Sequence, residues 1–197
     1  MRIALVHDSF TQLGGAERVI EALHEMFPTL KVYVLVMDSR FRNKYQNWDI
    51  RTTWLQNFYN LIPKLQYWLF MIPWAVSAIN IENVDVIISS SSGFVKNINV
   101  PKNCIHINYC HTPTRFLWVD DDYIKQEVPL ILRPVIKLFL KWMRKWDLQG
   151  AQRIDYFIAN SKEVQKRIVD VYHRQSEVIY PPVDTDFWHP TTPKQDY

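Results

Sequence analysis

The sequence predicts an α/β fold with a doubly wound, mostly parallel, Rossmann-like sheet. Short apolar runs with the length and β-branched content of buried strands alternate along the chain with helix-like segments. Polar residues follow the ends of several of these runs, as in open α/β sheets that bind ligands at their strand ends. The chain has 197 residues, enough for one full-sized core, so we expect one folded domain.

Six or seven segments are predicted to be strands, because each is a short apolar run bounded by polar or turn-forming residues. They span residues 2–7, 31–37, 50–52, 85–89, 105–109, 155–159 and 177–180. Helices are predicted between them: residues 16–27, two short helices within 54–81, residues 130–152, and a helix that begins after residue 160. Residues 41–51 are polar and are expected to form a short helix and turn.

The loop between the first strand and the first helix, residues 8–15, ends in Gly14 and Gly15. Only four glycines occur in the chain, so an adjacent pair indicates a backbone requirement. A strand, a glycine-bearing loop and a helix form a unit whose helix N-terminus offers free amide groups to an anion. We therefore predict a phosphate or diphosphate site here; the alternative is that the glycines only set the entry of the helix.

A dinucleotide site is a weaker interpretation of the same unit. Asp38 follows the second strand, about where an acidic residue would hold a ribose. The loop, however, has no G-x-G-x-x-G pattern, so the sequence disfavours dinucleotide binding.

Residues 105–118 bring a histidine, two threonines, an arginine and a tryptophan to the end of a buried strand. His111 is the residue we expect at the chemical centre of the site, because it follows that strand directly. The alternative is that His111 only ends the strand and that Arg115 is solvated.

The helix predicted over residues 130–152 carries a basic stripe at four-residue spacing, formed by Arg133, Lys137, Lys141 and Lys145. Its apolar residues cover more of the helix than a one-sided core contact needs. One interpretation is a helix buried on two sides with a solvated cationic ridge. The other is a helix that meets anionic lipid headgroups, with Trp142 and Trp146 at the interface.

The composition excludes several classes of protein. A formal net charge of +3 is too small to indicate a nucleic-acid partner. The longest uncharged run, residues 65–81, contains a proline and polar residues, which favours buried or interfacial helices over a membrane span. Cys104 and Cys110 cannot pair within one strand, and no metal-ligand spacing is present. Reduced cysteines and an N-terminus that begins with a strand favour a cytoplasmic location.

The last part of the chain contains two local sequence patterns, a helix cap and a linker. Ser161 is predicted to cap the helix that follows the sixth strand. Residues 181–190 contain three prolines and no periodicity, so they are expected to form a linker.

Taken together, these motifs resemble the N-terminal half of retaining family 4 glycosyltransferases, which have the two-domain GT-B architecture. The resemblance rests on the order of Gly-Gly-Ala-Glu at residues 14–17, His-Thr-Pro-Thr-Arg-Phe-Leu-Trp at 111–118, Phe-Ile-Ala-Asn-Ser at 157–161 and Tyr-Pro-Pro-Val-Asp-Thr-Asp-Phe-Trp at 180–188. It is closest to bacterial enzymes, often mannosyltransferases, that build O-antigen and related polysaccharides.

The resemblance implies a domain organisation and a reaction. Residues 1–180 would form the acceptor-side domain and residues 181–197 the hinge, and the donor-binding C-terminal domain of the family would lie outside this sequence. The intact enzyme would move a sugar from a nucleotide-sugar such as GDP-mannose to a saccharide or lipid-linked acceptor, without a metal or another cofactor. The isolated half is expected to be inactive alone. The competing hypothesis is a non-catalytic sugar- or nucleotide-binding or interaction module that keeps only the fold.

The resemblance also implies residue roles. Gly14 and Gly15 would contact the donor diphosphate, and His111 would act beside the donor sugar as a polar orienter rather than a nucleophile. Candidates for the acceptor side of the cleft are Asp8, Ser9, Glu17, Arg115, Asn160 and Ser161. The basic stripe would place the domain at the periphery of the inner membrane face, where a lipid-linked acceptor is found.

Overall fold

The computed structural model describes residues 1–118, 133–183 and 185. Its centre is a seven-stranded sheet in the order β3-β2-β1-β4-β5-β6-β7, in which every pair of neighbours is parallel. The strands are β1 (Ile3–Phe10), β2 (Val32–Met37), β3 (Ile50–Thr52), β4 (Val86–Ser91), β5 (Ile105–Cys110), β6 (Tyr156–Ala159) and β7 (Glu177–Val178). The predicted doubly wound, Rossmann-like parallel sheet is confirmed.

Helices cover the sheet on both faces. They are α1 (Gly15–Met26), α2 (Leu55–Leu61), α3 (Ile72–Ser77), α4 (Arg115–Trp118), α5 (Arg133–Gln152) and α6 (Lys162–Tyr172). Three short 3-10 helices span Ser39–Phe41, Leu65–Met71 and Val95–Asn97. The predicted helices at 16–27 and after residue 160 are confirmed to within one or two residues.

The two faces of the sheet have separate cores because side chains alternate along each strand. Ala4 and Val6 belong to a buried cluster with residues of α2 and α3, whereas Leu5 packs in a cluster with Ile20 of α1. A strand buried on both faces needs apolar residues at nearly every position. This is why β1 could be recognised as a continuous apolar run.

The strand order reverses direction at β1, which lies between β2 and β4. The loops that follow β1 and β4 leave on different sides of the sheet at such a point and open a crevice. The carboxyl ends of β1, β4 and β5 are therefore neighbours, and the candidate site is built from the residues that follow them.

Three predicted boundaries are wrong. β1 continues to Phe10, because Ser9 and Phe10 still pair with β2, so Asp8 and Ser9 belong to the strand and not to the loop. β4 likewise continues to Ser91. β7 has two residues instead of four, since its ladder pairs only Glu177 and Val178 with β6.

The segment over residues 54–81 contains three helical pieces rather than two. Pro63 follows the end of α2. Pro73, by contrast, lies in the first turn of α3, where a missing amide hydrogen costs nothing. It begins a helix, and the 3-10 helix Leu65–Met71 fills the space between the two prolines.

Two sequence predictions fall partly outside the described residues: the first residues of the predicted helix (130–132) and most of the linker (184 and 186–197). Within the described part of the chain, none of the helices combines the length and the apolar character that crossing a bilayer requires. Cys104 and Cys110 are buried free thiols.

Candidate functional site

A cleft of about 850 Å³ lies at the carboxyl ends of β1, β4 and β5. Its polar lining residues are Asp8, Ser9, Gln66, Tyr67, Ser92, Thr112, Thr114 and Arg115. Its apolar lining residues are Leu65, Leu69, Phe70, Ile72, Phe94, Phe116, Ile136, Phe139 and Leu140. The cleft can therefore accommodate a ligand with a polar part and a hydrophobic part.

Asp8 organises the floor of the cleft. Its carboxylate accepts hydrogen bonds from the backbone amides of Ser92 (2.7 Å), Phe94 (2.9 Å) and Val95 (3.0 Å). Both carboxylate oxygens are thus used to hold the loop after β4 and the start of the 3-10 helix Val95–Asn97. The predicted contact of Asp8 with an acceptor remains a prediction.

A buried ion pair lies beneath the cleft. Lys96 Nζ lies 2.6 Å from Asp147 Oδ1, and each side chain is 1% exposed. Asp147 also accepts hydrogen bonds from Thr114 (2.8 Å), Trp118 (2.9 Å) and Tyr172 (2.9 Å). Burial disfavours the charge on Lys96, but Asp147 outweighs burial and raises the pKa of Lys96. The network joins the loops after β4 and β5 to α5 and α6.

His111 directly precedes Thr112, which lines the cleft, and its side chain contacts the sheet. Its Nε2 atom lies 2.8 Å from the hydroxyl of Ser90, whose hydroxyl is also 3.2 Å from Nδ1 of His7. The other ring nitrogen of His7 lies 3.8 Å from a carboxylate oxygen of Glu17. Burial lowers the pKa of His111 to about 4, and the nearby His7 adds to this effect, so the His111 ring is neutral at pH 7.

Gly14 and Gly15 lie at the N-terminus of α1, next to the crevice between β1 and β4. The amide of Gly14 donates to the Glu17 carboxylate at 2.8 Å. A Cβ atom at Gly15 would meet nothing within 4 Å, so the space beside this residue is open. The amides of the first helical turn have no carbonyl partner within the helix. The predicted diphosphate contact fits this geometry and remains a prediction.

Glu17 lies on the α1 side, in a smaller cavity of about 460 Å³ that it shares with Gly14, Lys44 and Pro182. Burial disfavours its ionised form, but contacts with His7, with its own amide and with Gly14 outweigh burial and lower its pKa. Glu17 does not line the large cleft, which separates it from Asp8, Ser9 and Arg115.

Asn160 and Ser161 follow β6 and support neighbouring backbone. The Asn160 side-chain amide donates to the carbonyl oxygen of His111 at 3.1 Å. Ser161 accepts a hydrogen bond from the amide of Val164 at 3.2 Å, so its predicted role as the N-cap of α6 is confirmed. Neither residue lines the large cleft.

The structure thus brings Asp8, Ser9 and Arg115 into one cleft and links Glu17 to His111 through residues that the sequence analysis did not single out. These residues are His7 and Ser90. The separate buried pair of Lys96 and Asp147 was not predicted from the sequence either. Polar residues inside apolar segments were the available signal, because a buried polar group needs a partner. The identity of the partners could not be predicted from spacing.

The surface of α5 combines exposed lysines and exposed apolar side chains. Lys137, Lys141 and Lys145 are exposed, whereas Arg133 is partly buried and has an interaction partner. The apolar residues of this surface are Val135, Leu138 and Trp142, together with Phe70 and Trp74 of the neighbouring helices. We call these three lysines and five apolar residues the α5 surface.

Aromatic contacts bind this surface together, since the ring centroids of Phe70 and Phe139 are 4.0 Å apart and those of Trp74 and Trp142 are 6.1 Å apart. Trp146 differs from the prediction: it packs against the buried core and does not belong to this surface.

Among the described residues, no group of three or more histidine, cysteine, aspartate or glutamate side chains could hold a metal ion. The polar groups of the cleft are mainly hydroxyls, amides and a guanidinium. Such groups suit sugar hydroxyls and phosphate oxygens.

The family profile described as Glycosyltransferase Family 4 matches residues 13–187. Two crystal structures of Anabaena Alr3699/HepE are similar, one in complex with UDP (14% identity, TM-score 0.55) and one with UDP and glucose (15% identity, TM-score 0.53). The matches cover 94% of this chain but only 45% and 46% of the HepE chains, respectively. At this identity the likeness shows the fold alone. No curated protein matches the sequence.

Proposed function

The chain belongs to Glycosyltransferase Family 4, and from this premise we propose that it is the acceptor-side half of a retaining enzyme of the GT-B type. The intact enzyme would move a sugar from a nucleotide-sugar to a saccharide or lipid-linked acceptor. Because this chain spans less than half the length of the HepE structures that it matches, the activity is proposed for the protein that contains it.

A nucleotide-sugar donor is supported by two observations. The HepE structures contain UDP, or UDP and glucose. In this chain, the open space beside Gly15 at the N-terminus of α1 suits a diphosphate. GDP-mannose is the donor that the sequence resemblance favours, and UDP-sugars are the donors that the structural neighbours favour.

The proposed chemistry relies on positioning rather than on a protein nucleophile. The leaving phosphate would help to deprotonate the acceptor as an oxocarbenium-like state forms. His111 is neutral at pH 7 and would orient the donor sugar by a hydrogen bond. Asp8, Ser9 and Arg115 line the cleft and would face the acceptor.

The observation that carries the proposal is the amphiphilic lining of the 850 Å³ cleft. A plain saccharide would leave nine apolar side chains without an apolar partner. A lipid-linked acceptor would place its reacting polar group near Ser9 and Arg115 and its hydrocarbon near Phe116 and Phe139. The cleft therefore favours the lipid-linked member of the two acceptor classes.

A lipid-linked acceptor would require the domain to bind at the surface of an anionic membrane. Phe70 and Phe139 line the cleft, and Phe70 also belongs to the α5 surface. Each lysine near an anionic membrane contributes about 1 kcal/mol to binding. The α5 surface would thus bring the mouth of the cleft to the lipid.

The full-length protein is tested with UDP-sugars and GDP-mannose, each with a lipid-linked acceptor and with a water-soluble acceptor of the same sugar. We expect transfer to the lipid-linked acceptor, with the anomeric configuration of the donor kept in the product, as NMR would show. Phe116→Ala should raise KM for the lipid-linked acceptor only. The exposed aromatic variant Phe58→Ala, outside the cleft, is the control.

The competing hypothesis, a non-catalytic binding module, makes a different prediction. Such a module would bind a nucleotide-sugar without turnover in every combination of donor and acceptor. Transfer with inversion would refute the retaining mechanism. In the active enzyme, His111→Ala with near-native transfer would remove His111 from the catalytic residues.

A further inference from the structure

His111 is held by a row of buried side chains that crosses the sheet. His7 of β1 and Ser90 of β4 are partners in register, so their side chains lie on the same face of the sheet. His111 comes two residues after Tyr109, the partner of Ser90 in β5. Glu17 of α1 meets His7 from the helix layer.

The contacts of His7 fix the position of its ring proton. Its Nδ1 atom lies 3.2 Å from the carbonyl oxygen of Ser90 and 3.2 Å from the hydroxyl oxygen of the same residue. A carbonyl oxygen can only accept a hydrogen bond, so Nδ1 of His7 carries a proton and donates it. The His7 ring is only 2% exposed, so its Nδ1 atom does not exchange these two contacts for hydrogen bonds with solvent. The Ser90 hydroxyl oxygen therefore acts as an acceptor toward His7.

The direction of the His7–Ser90 hydrogen bond also sets the direction of the hydrogen bond between Ser90 and His111. A serine hydroxyl has one proton, and here it is not needed for the contact with His7. It is donated across the 2.8 Å contact to Nε2 of His111, which must then be the unprotonated nitrogen of the ring. In a neutral imidazole the proton is then on Nδ1.

We infer that His7 and Ser90 are positioning residues that hold His111 as the Nδ1–H tautomer, so that its ring offers a hydrogen-bond donor to a ligand beside the cleft. Nδ1 of His111 has no partner among the described residues and is not one of the fully buried unpaired nitrogens. A donor here suits a sugar hydroxyl or a phosphate oxygen, a choice of ligand that rests on the proposed function. The tautomer itself does not rest on it.

The consequence for the chemistry is specific. With Nδ1 protonated and Nε2 occupied by Ser90, neither ring nitrogen of His111 is available to remove a proton from an acceptor. The ring can orient a ligand or stabilise negative charge that develops on it. Ser90 and His7 would act only through His111, because neither is exposed at the cleft.

The tautomer can be measured on the chain without any ligand. Long-range ¹H–¹⁵N correlation spectra of the protein with ¹⁵N-labelled histidine rings distinguish protonated from unprotonated ring nitrogens, and the spectrum of His111→Gln assigns the His111 signals. We expect a protonated Nδ1 and an unprotonated Nε2 at pH 7. A protonated Nε2 at this pH would overturn the inference, and this result needs no further variant.

Two serine variants test the role of Ser90. Ser90→Ala removes the donor, so the proton of His111 should move to Nε2 in part or completely. Ser89→Ala is the matched control, because the Ser89 hydroxyl contacts His106 at 2.7 Å and lies on the opposite face of β4. It should change the His106 signals and leave those of His111 as they are. An unchanged His111 tautomer in folded Ser90→Ala would contradict the role of Ser90.

The transfer assay separates this inference from the proposed function. If the full-length protein transfers sugar, Ser90→Ala should lower kcat by up to about a hundredfold, with a smaller change in KM for the donor. Ser89→Ala should keep kcat within about twofold of the wild type. The wild type could show the Nδ1–H tautomer in the spectrum and yet transfer no sugar. This result would refute the proposed function and leave the inference about the tautomer standing.

Discussion

At the residue scale, the site is shaped by polar side chains that form hydrogen bonds with backbone groups. Asp8 bonds to three amides of the segment after β4, and Asn160 bonds to the carbonyl oxygen of His111. Each such contact fixes a loop where it leaves the sheet. Ligand-binding loops need this support, because a loop without it has few contacts to define its position.

Gly15 offers a substitution that separates stability from ligand binding. A Cβ at this position meets no atom within 4 Å, so Gly15→Ala should leave the free energy of unfolding unchanged or raise it by up to about 1 kcal/mol. If a donor diphosphate approaches the amides closely, the added methyl group should raise KM for the nucleotide-sugar severalfold. Urea unfolding and transfer kinetics measure the two effects, and an unchanged KM would contradict the diphosphate site.

Substitution of Lys96, in contrast to that of Gly15, should strongly lower the free energy of unfolding. Removing its charge by Lys96→Met leaves the Asp147 carboxylate buried without its ion-pair partner, which should cost about 3–5 kcal/mol in unfolding free energy. The exposed variant Lys102→Met should cost less than about 0.5 kcal/mol. Denaturant unfolding of both variants tests this. A loss below about 1 kcal/mol for Lys96→Met would show that the buried pair does not anchor the loops.

At the element scale, α5 performs two tasks with different faces. Met143 and Asp147 are buried against the sheet side, while Lys137 and Lys141 project from the exposed side. From the sequence alone, the lysines could form either a solvated ridge or a membrane contact. The exposed apolar residues beside them, among which Leu138 is 70% and Trp74 is 61% exposed, favour the membrane contact.

Liposome binding tests the α5 surface. Lys137→Glu with Lys141→Glu reverses two charges, so it should weaken co-sedimentation with anionic liposomes by at least about tenfold at low salt. Lys162→Glu with Lys166→Glu makes the same change of net charge on the exposed part of α6 and should have a smaller effect. If both double variants bound the liposomes equally well, the binding would depend only on net charge, and a specific contact of the α5 surface would be refuted.

At the scale of the whole molecule, several histidines are buried in the neutral form. Burial lowers the pKa of His106 and of His111 to about 4 in each case, and burial also lowers the pKa of His24. In the unfolded chain these rings protonate at about pH 6.5. The unfolded state therefore binds more protons between pH 6.5 and 4, and this difference lowers the stability of the folded state in that range.

Acidification should thus destabilise the fold before the carboxylates titrate. Between pH 6.5 and 5, the neutral burial of His106 alone should account for a loss of about 2 kcal/mol in unfolding free energy. Urea titrations at pH 7, 6 and 5 measure the slope. It should be shallower in His106→Gln and unchanged in the control His173→Asn, an exposed residue with φ of 54°, which asparagine tolerates. Equal slopes in all three proteins would contradict this account.

The sequence by itself determined the layered architecture, because strand and helix periodicity are local properties and a sheet buried on both faces forces apolar strands. It also determined the cap at Ser161, since a helix N-cap involves residues only three apart. It also placed His111 near the end of a strand, because a strand of the sheet is a local apolar run whose end can be recognised.

Only the tertiary structure decided which polar groups meet. His7 and Ser90 are 83 residues apart and come together through the register of β1 and β4. Glu17 turned toward His7 and away from the large cleft, and Trp146 turned into the core, because burial and partner choice depend on packing across layers. Sequence spacing carries no information about such long-range register, whereas the folded sheet specifies it completely.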